Sequence, residues 1–167
     1  MTQEVKRNYL EINSIKDLKE VKKPPEDYSL ILIEPINFQL NKFFYKNIGQ
    51  KHNWLDRLVW SERQWIDYLS DKKVKTYIFK DKEDLAGFFE LIFQPEKKEV
   101  EIAYFGLLEE YHNKKLGSYL LSEAIKKSFQ INVNRVWVHT CSLDHKNALN
   151  NYISRGMKIF KTEILNI

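Results

Sequence analysis

An apolar, β-rich run from Val100 to Leu108 passes through a short polar turn, Glu110-Tyr111-His112-Asn113-Lys114-Lys115, and on into Leu116-Gly117-Ser118 and an amphipathic pattern that ends near Phe129. A strand that turns directly into a helix must pack that helix back on its own sheet, so the chain is committed to a mixed α/β layering. The turn also exposes backbone N–H groups that the helix leaves unpaired, and the helix dipole adds partial positive charge there. Phosphate or pyrophosphate is the natural ligand of such a turn. Lys114 and Lys115 add formal positive charge at the same place.

The remaining pattern extends this layering. Lys22-Lys23-Pro24-Pro25-Glu26 is a linker-like piece that sets residues 1–27 apart as an N-terminal extension of one domain spanning 1–167. Tyr28–Glu34 is a strand candidate and Gln39–Asn47 a short helix. Ser61-Glu62-Arg63-Gln64 matches a capping box, with Trp60 and Trp65 spaced for a hydrophobic staple, so a helix is expected over 62–69. Thr76–Lys80, Ala86–Gln94 and Val100–Leu107, joined by acidic and polar turns, predict an antiparallel meander. After the helix at Ser118–Phe129, Asn134–Cys141 is the next strand. Helical spacing from Asp144 places Ala148, Leu149, Tyr152 and Ile153 on one face, with Gly156 as C-cap and a last strand over Met157–Ile164.

Composition narrows the class. At 167 residues, 43% hydrophobic and 30% charged, the chain can bury a full core and stay solvated. The net charge of +4 is spread among nearly as many acids, with no basic block to mark a nucleic-acid surface. No apolar run approaches membrane-spanning length. The four histidines are scattered and there is one cysteine, Cys141, so neither a metal cluster nor an internal disulfide is expected, and a reducing, cytoplasmic setting fits.

Three further groups carry chemistry. Glu101 sits inside the apolar strand Val100–Phe105, where burial would raise its pKa and improve it as a base; Glu90, on the neighbouring strand, is the alternative, and a solvated strand-end carboxylate is the plain reading of either. Trp54, Asp56 and Arg57 combine indoles with an acid, a set suited to an amine cation, although tryptophans also serve to pack helices on a sheet. His139, alternating with Val138 and Thr140, either lines a pocket or is a hydrogen-bonded structural residue.

The runs EIAYFGLLEEYHNKKLGSYLL and RVWVHTCSLDHKNALNNYISRGMKIF resemble the GNAT superfamily of acetyl-CoA-dependent N-acetyltransferases, from about Ala86 to Phe160. The likeness extends upstream through NWLDRLVW, as in an uncharacterised bacterial branch. It implies a mixed, mostly antiparallel central sheet with helices on both faces, acetyl-CoA as cosubstrate without a metal, and a small-molecule amine as acceptor. A homodimer is compatible with it; nucleic-acid and membrane partners are not expected. In the superfamily's Arg/Gln-x-x-Gly-x-Gly/Ala loop, His112 stands at the first position, Lys115 at the first glycine and Gly117 at the second. The resemblance therefore assigns coenzyme contacts to His112, Asn113, Lys114, Lys115, Leu116, Gly117 and Ser118. It lays pantetheine along Phe105, Gly106 and Leu107, and puts His145 where an asparagine is usual. It makes Tyr152 the acid for the leaving thiolate and Glu101 the base. It also places the segment that holds Trp54, Asp56, Arg57 and Trp60 over the acceptor, the pocket for which His139 is the further candidate from its place in the strand. A non-catalytic acyl-CoA-binding module on the same fold is the alternative.

Overall fold

The structure, a computed structural model, describes residues 1–167. Its strands are β1 (Glu4–Ile12), β2 (Tyr28–Leu32), β3 (Val74–Asp81), β4 (Asp84–Gln94), β5 (Glu99–Leu107), β6 (Arg135–Cys141) and β7 (Lys158–Asn166). Its helices are α1 (Phe38–Gly49), α2 (Glu62–Leu69), α3 (Leu116–Phe129) and α4 (Ala148–Ser154). The strands form one sheet in the order β2-β3-β4-β5-β6-β1-β7. Every neighbouring pair is antiparallel except β5 and β6.

The meander β3–β4–β5 follows the expected hairpins; each strand starts slightly earlier than expected, β3 also runs on to Asp81, and β4 and β5 end at Gln94 and Leu107 as expected. Side chains alternate across it. Phe88 stacks on Phe44 of α1 at 5.0 Å, while Phe89 stacks on Tyr77 and, with Phe79 and Tyr119, forms the layer beneath α3. Helices therefore cover both faces. The main core joins Leu10, Ile12, Phe88, Phe89, Ile102, Leu120, Ala124, Val136 and Tyr152 among its buried members.

Ser61 caps α2 as expected: its hydroxyl accepts from Gln64 N at 3.2 Å, and the Gln64 amide oxygen accepts from Ser61 N at 2.8 Å. Trp60 meets Trp65 edge-on at 4.9 Å. Gly156 follows α4 at φ +106°, and a Cβ there would lie 2.2 Å from the carbonyl oxygen of Asp17, so only glycine fits.

Residues 4–12 differ from their description as part of an extension. They form β1, inserted between β6 and β7. The strand was hidden because it is charged throughout, Glu4-Val5-Lys6-Arg7-Asn8-Tyr9-Leu10-Glu11-Ile12. Its buried face, Asn8-Leu10-Ile12, is short, and its other face, Val5-Arg7-Tyr9-Glu11, is mixed. Two boundaries also move. α3 begins at Leu116 rather than Ser118, and residues 144–147 form a turn before α4. No helix is long and apolar enough to cross a membrane.

Candidate functional site

The site is built by a failure of strand pairing. β5 and β6 pair only at Glu99–Glu101 with Arg135–Trp137 and then diverge. Beyond that point Ala103–Leu107 and Val138–Cys141 face each other across a wedge, with main-chain groups free on the inner edges. A cavity of about 850 Å³ occupies the wedge and the space beside it.

At one end lies the turn into α3. Asn113 and Lys115 both adopt the left-handed conformation at φ +62°, and Lys115 is the N-cap. No side chain caps α3, so the amides of Leu116, Gly117 and Ser118 are available to a ligand. Lys115 thus carries the strain that glycine avoids at this φ. His112 Nε2–H donates to the Leu107 carbonyl at 3.0 Å, tying the turn to the end of β5. Asn151 on α4 donates through Nδ2 to the Gly117 carbonyl at 3.0 Å and holds the other side. His145 packs edge-on to His112 at 5.0 Å, with His52 at 6.2 Å. Burial, followed by the neighbouring His112, His52 and Lys146, pushes the His145 pKa down and favours its neutral form.

In the middle of the cavity, Tyr152 is 7% exposed, with its ring 6.4 Å from Phe105. Its hydroxyl has no hydrogen-bond partner in the protein and is not among the sealed, unsatisfied atoms, so it opens to the cavity. Burial and, secondarily, Asp144 raise its pKa well above that of an ordinary tyrosine, so the proton stays on the hydroxyl. Glu101 lies on β5 at the closed end of the wedge. Burial raises its pKa, partly offset by the Arg57 charge. His139 stands opposite Tyr9 at 5.6 Å; desolvation and then the charge of Arg7 lower its pKa.

Two assignments change. Glu90 is 0% exposed and lies outside the cavity wall. Its carboxylate accepts from Arg57 Nη1 at 3.0 and 3.3 Å, from Asn41 at 3.0 Å and from Tyr68 at 3.0 Å. With its lone pairs engaged and no route to a ligand, it does not stand as a base. Arg57 does line the cavity, but it is buried and its guanidinium is committed to Glu90 rather than free for an acceptor. Its guanidinium lies 4.1 Å from the Tyr68 ring centroid, 4.3 Å from Tyr104 and 4.7 Å from Trp60. Burial disfavours its charge, but Glu90 and the rings more than compensate and hold its pKa up. Sequence spacing could not reveal this pairing, because 33 residues separate the partners.

The other assigned residues converge. Phe105, Gly106, Leu107, Trp54 and Asp56 line the cavity together with the α3 turn. Trp54 meets Tyr104 edge-on at 4.9 Å and Asp56 is exposed. Lys114 is the exception in the loop: its ammonium sits 5.4 Å over the Tyr111 ring and does not line the cavity. Residues missed from sequence include Tyr104, His52 and Arg7. Arg7 had one legible signal, the alternation Val5-Arg7-Tyr9, and it lay in the segment set aside as an extension.

The fold has many relatives among solved structures. A GCN5-related N-acetyltransferase from Sphaerobacter thermophilus superposes with a TM-score of 0.74 at 12% identity, over 99% of this chain and 52% of that one. A GCN5-related N-acetyltransferase from Kribbella flavida gives 0.68 at 12%, over 95% and 56%. An aminoglycoside acetyltransferase from an uncultured soil metagenomic sample, in complex with trehalose, gives 0.64 at 11%, over 77% and 86%. The chain spans about half the length of the first two. No sequence among curated proteins matches it significantly. Residues 36–157 match the acetyltransferase (GNAT) family, and since that stretch holds the wedge, the uncapped α3 turn and Tyr152, the chain belongs to this family.

Proposed function

We propose that the protein transfers an acetyl group from acetyl-CoA to a primary amine of a small molecule. One observation carries this reading: the uncapped N-terminus of α3, the free strand edge at Ala103–Leu107, the Tyr152 hydroxyl and Glu101 all open into one cavity. The residues fit an acyl-CoA substrate. The amides of Leu116–Ser118 suit its pyrophosphate, and the edge of β5 suits the amides of pantetheine.

An amine arriving protonated must lose a proton before its lone pair can attack the thioester carbonyl carbon. Glu101, through water, accepts that proton. As the tetrahedral centre collapses, the carbon–sulfur bond breaks and the Tyr152 hydroxyl gives its proton to the departing sulfur. Burial keeps the hydroxyl protonated at neutral pH, so the proton is in place when the sulfur departs.

A second reading, a non-catalytic acyl-CoA sensor, is favoured by one feature: Lys115 strains the phosphate loop where glycine would relax it. The test is thiol release from acetyl-CoA across a panel of primary amines, beside calorimetric titration of acetyl-CoA. Turnover with any amine supports the transferase. Tight binding with no thiol release across the panel supports the sensor. No binding refutes both.

A further inference from the structure

The cavity holds an arginine that the reaction above does not use. Arg7 projects from β1 opposite Cys141 of β6 and Glu163 of β7, and it lines the same cavity as Glu101 and Tyr152. Its Nε is buried without a hydrogen-bond partner, and the guanidinium enters no ion pair. The nearby carboxylates are occupied. Glu163 is held by Lys161 at 2.7 Å and by the Tyr9 hydroxyl at 3.0 Å. Asp144 accepts from the Thr140 hydroxyl and from Cys141 N. The contrast with Arg57, neutralised by Glu90 and enclosed by rings, is sharp.

The two Nη groups also lack a hydrogen-bond partner but are not sealed, so they face the cavity; a guanidinium this desolvated is costly without an acceptor, and a ligand in the cavity can supply one. The position agrees with the acceptor rather than the coenzyme. By strand alternation Arg7, Tyr9, His139 and Glu101 share one sheet face, opposite the face that α3 covers. Arg7 lies opposite Cys141 and Tyr9 opposite His139, on the stretch of β6 that borders the wedge, so the arginine stands on the wall of the cavity that holds Glu101 and Tyr152.

We propose that Arg7 anchors a carboxylate of the acceptor, so that the substrate is a primary amine that also bears a carboxylate, an amino acid in the broad sense. This rests on the acetyl-transfer reading of the cavity. Arg7 would hold the acid end in a two-point guanidinium–carboxylate contact while Glu101 faces the amine end. A polyamine would place a second cation against Arg7 and is disfavoured.

The test is thiol release from acetyl-CoA with matched acceptors: β-alanine and L-glutamate against β-alaninamide and putrescine. The wild type should prefer the carboxylates. Arg7→Gln should raise their KM roughly 10- to 100-fold, the worth of a charge-assisted contact, with kcat and acetyl-CoA affinity nearly unchanged. Arg7→Lys should recover part of the loss. Equal use of acids and amides by the wild type would overturn the proposal. So would an Arg7→Gln loss that falls on acetyl-CoA affinity, since the arginine would then serve a coenzyme phosphate. If no amine is acetylated, the transfer reading fails on its own, and the anion site is read by titrating N-acetyl-β-alanine into the CoA-loaded protein. Binding that disappears in Arg7→Gln upholds the site, and no binding at millimolar concentration overturns it.

Discussion

Gly117→Asp separates coenzyme binding from folding, because the two should respond with opposite sign. A Cβ at Gly117 would meet Asn151 Nδ2 and Leu107 Cδ1 at 3.8 Å, ordinary contact distances, so the fold has room for a side chain there. The residue lies in the first turn of α3, which has no acid of its own. A carboxylate there interacts favourably with the helix dipole by about 0.3–1 kcal/mol, and replacing glycine adds a few tenths in propensity. Thermal unfolding should therefore be unchanged or shifted up. Acetyl-CoA binding should move the other way. Taking a separation of about 6 Å and an effective dielectric of about 60, each like-charge pair costs about 1 kcal/mol. A pyrophosphate with two charges thus gives about 2 kcal/mol, or roughly 30-fold weaker binding. Isothermal titration at low salt measures it, and added salt should shrink the difference. Unchanged affinity in a variant whose melting temperature has not fallen would refute the placement of the pyrophosphate on Leu116–Ser118.

Three other changes probe the remaining parts. Tyr152→Phe removes a hydroxyl with no protein partner, so stability and acetyl-CoA affinity should hold while kcat falls; equal turnover would make Tyr152 a packing residue only. Glu101→Gln should cost on the order of 10²–10⁴ in rate below the amine's pKa, narrowing at high pH where free amine is abundant. Because burial raises the Glu101 pKa, the wild-type rate should drop on the acid side as pH falls through that raised value and the base is protonated. Profiles that stay parallel from about pH 6 to 9 would clear Glu101 of the role. Arg57→Met leaves the Glu90 charge buried and unpaired, so urea unfolding should show a loss of about 3–5 kcal/mol, largely recovered by adding Glu90→Leu; a loss below about 1 kcal/mol would mean that Glu90 does not depend on Arg57 for its charge balance.

The elements of this chain were legible where a local rule writes them. The Ser61/Gln64 box, the Trp60–Trp65 staple, the meander turns and the run from β5 into α3 each depend on residues within a few positions of one another. The same locality made the α3 turn readable as an anion site, since backbone amides at a helix start need no particular side chains. Gly156 was legible for a similar reason: a glycine just past a helical pattern is a local stop signal, and it follows α4 at φ +106°.

What tertiary structure alone decided is long-range. β1 pairs with strands about 130 and 155 residues away, and its alternation is too charged to announce a place in the sheet. Glu90 and Arg57 each looked like a candidate for chemistry in isolation, and only their meeting among Tyr68, Tyr104 and Trp60 takes Glu90 out of the site and commits the Arg57 guanidinium at the cavity wall to a structural pair. Glu101 and Tyr152 share a cavity because β5 and β6 part after three residue pairs. Where two strands separate is set by how helices and neighbouring strands pack on both sides, a balance that no single segment of the sequence contains.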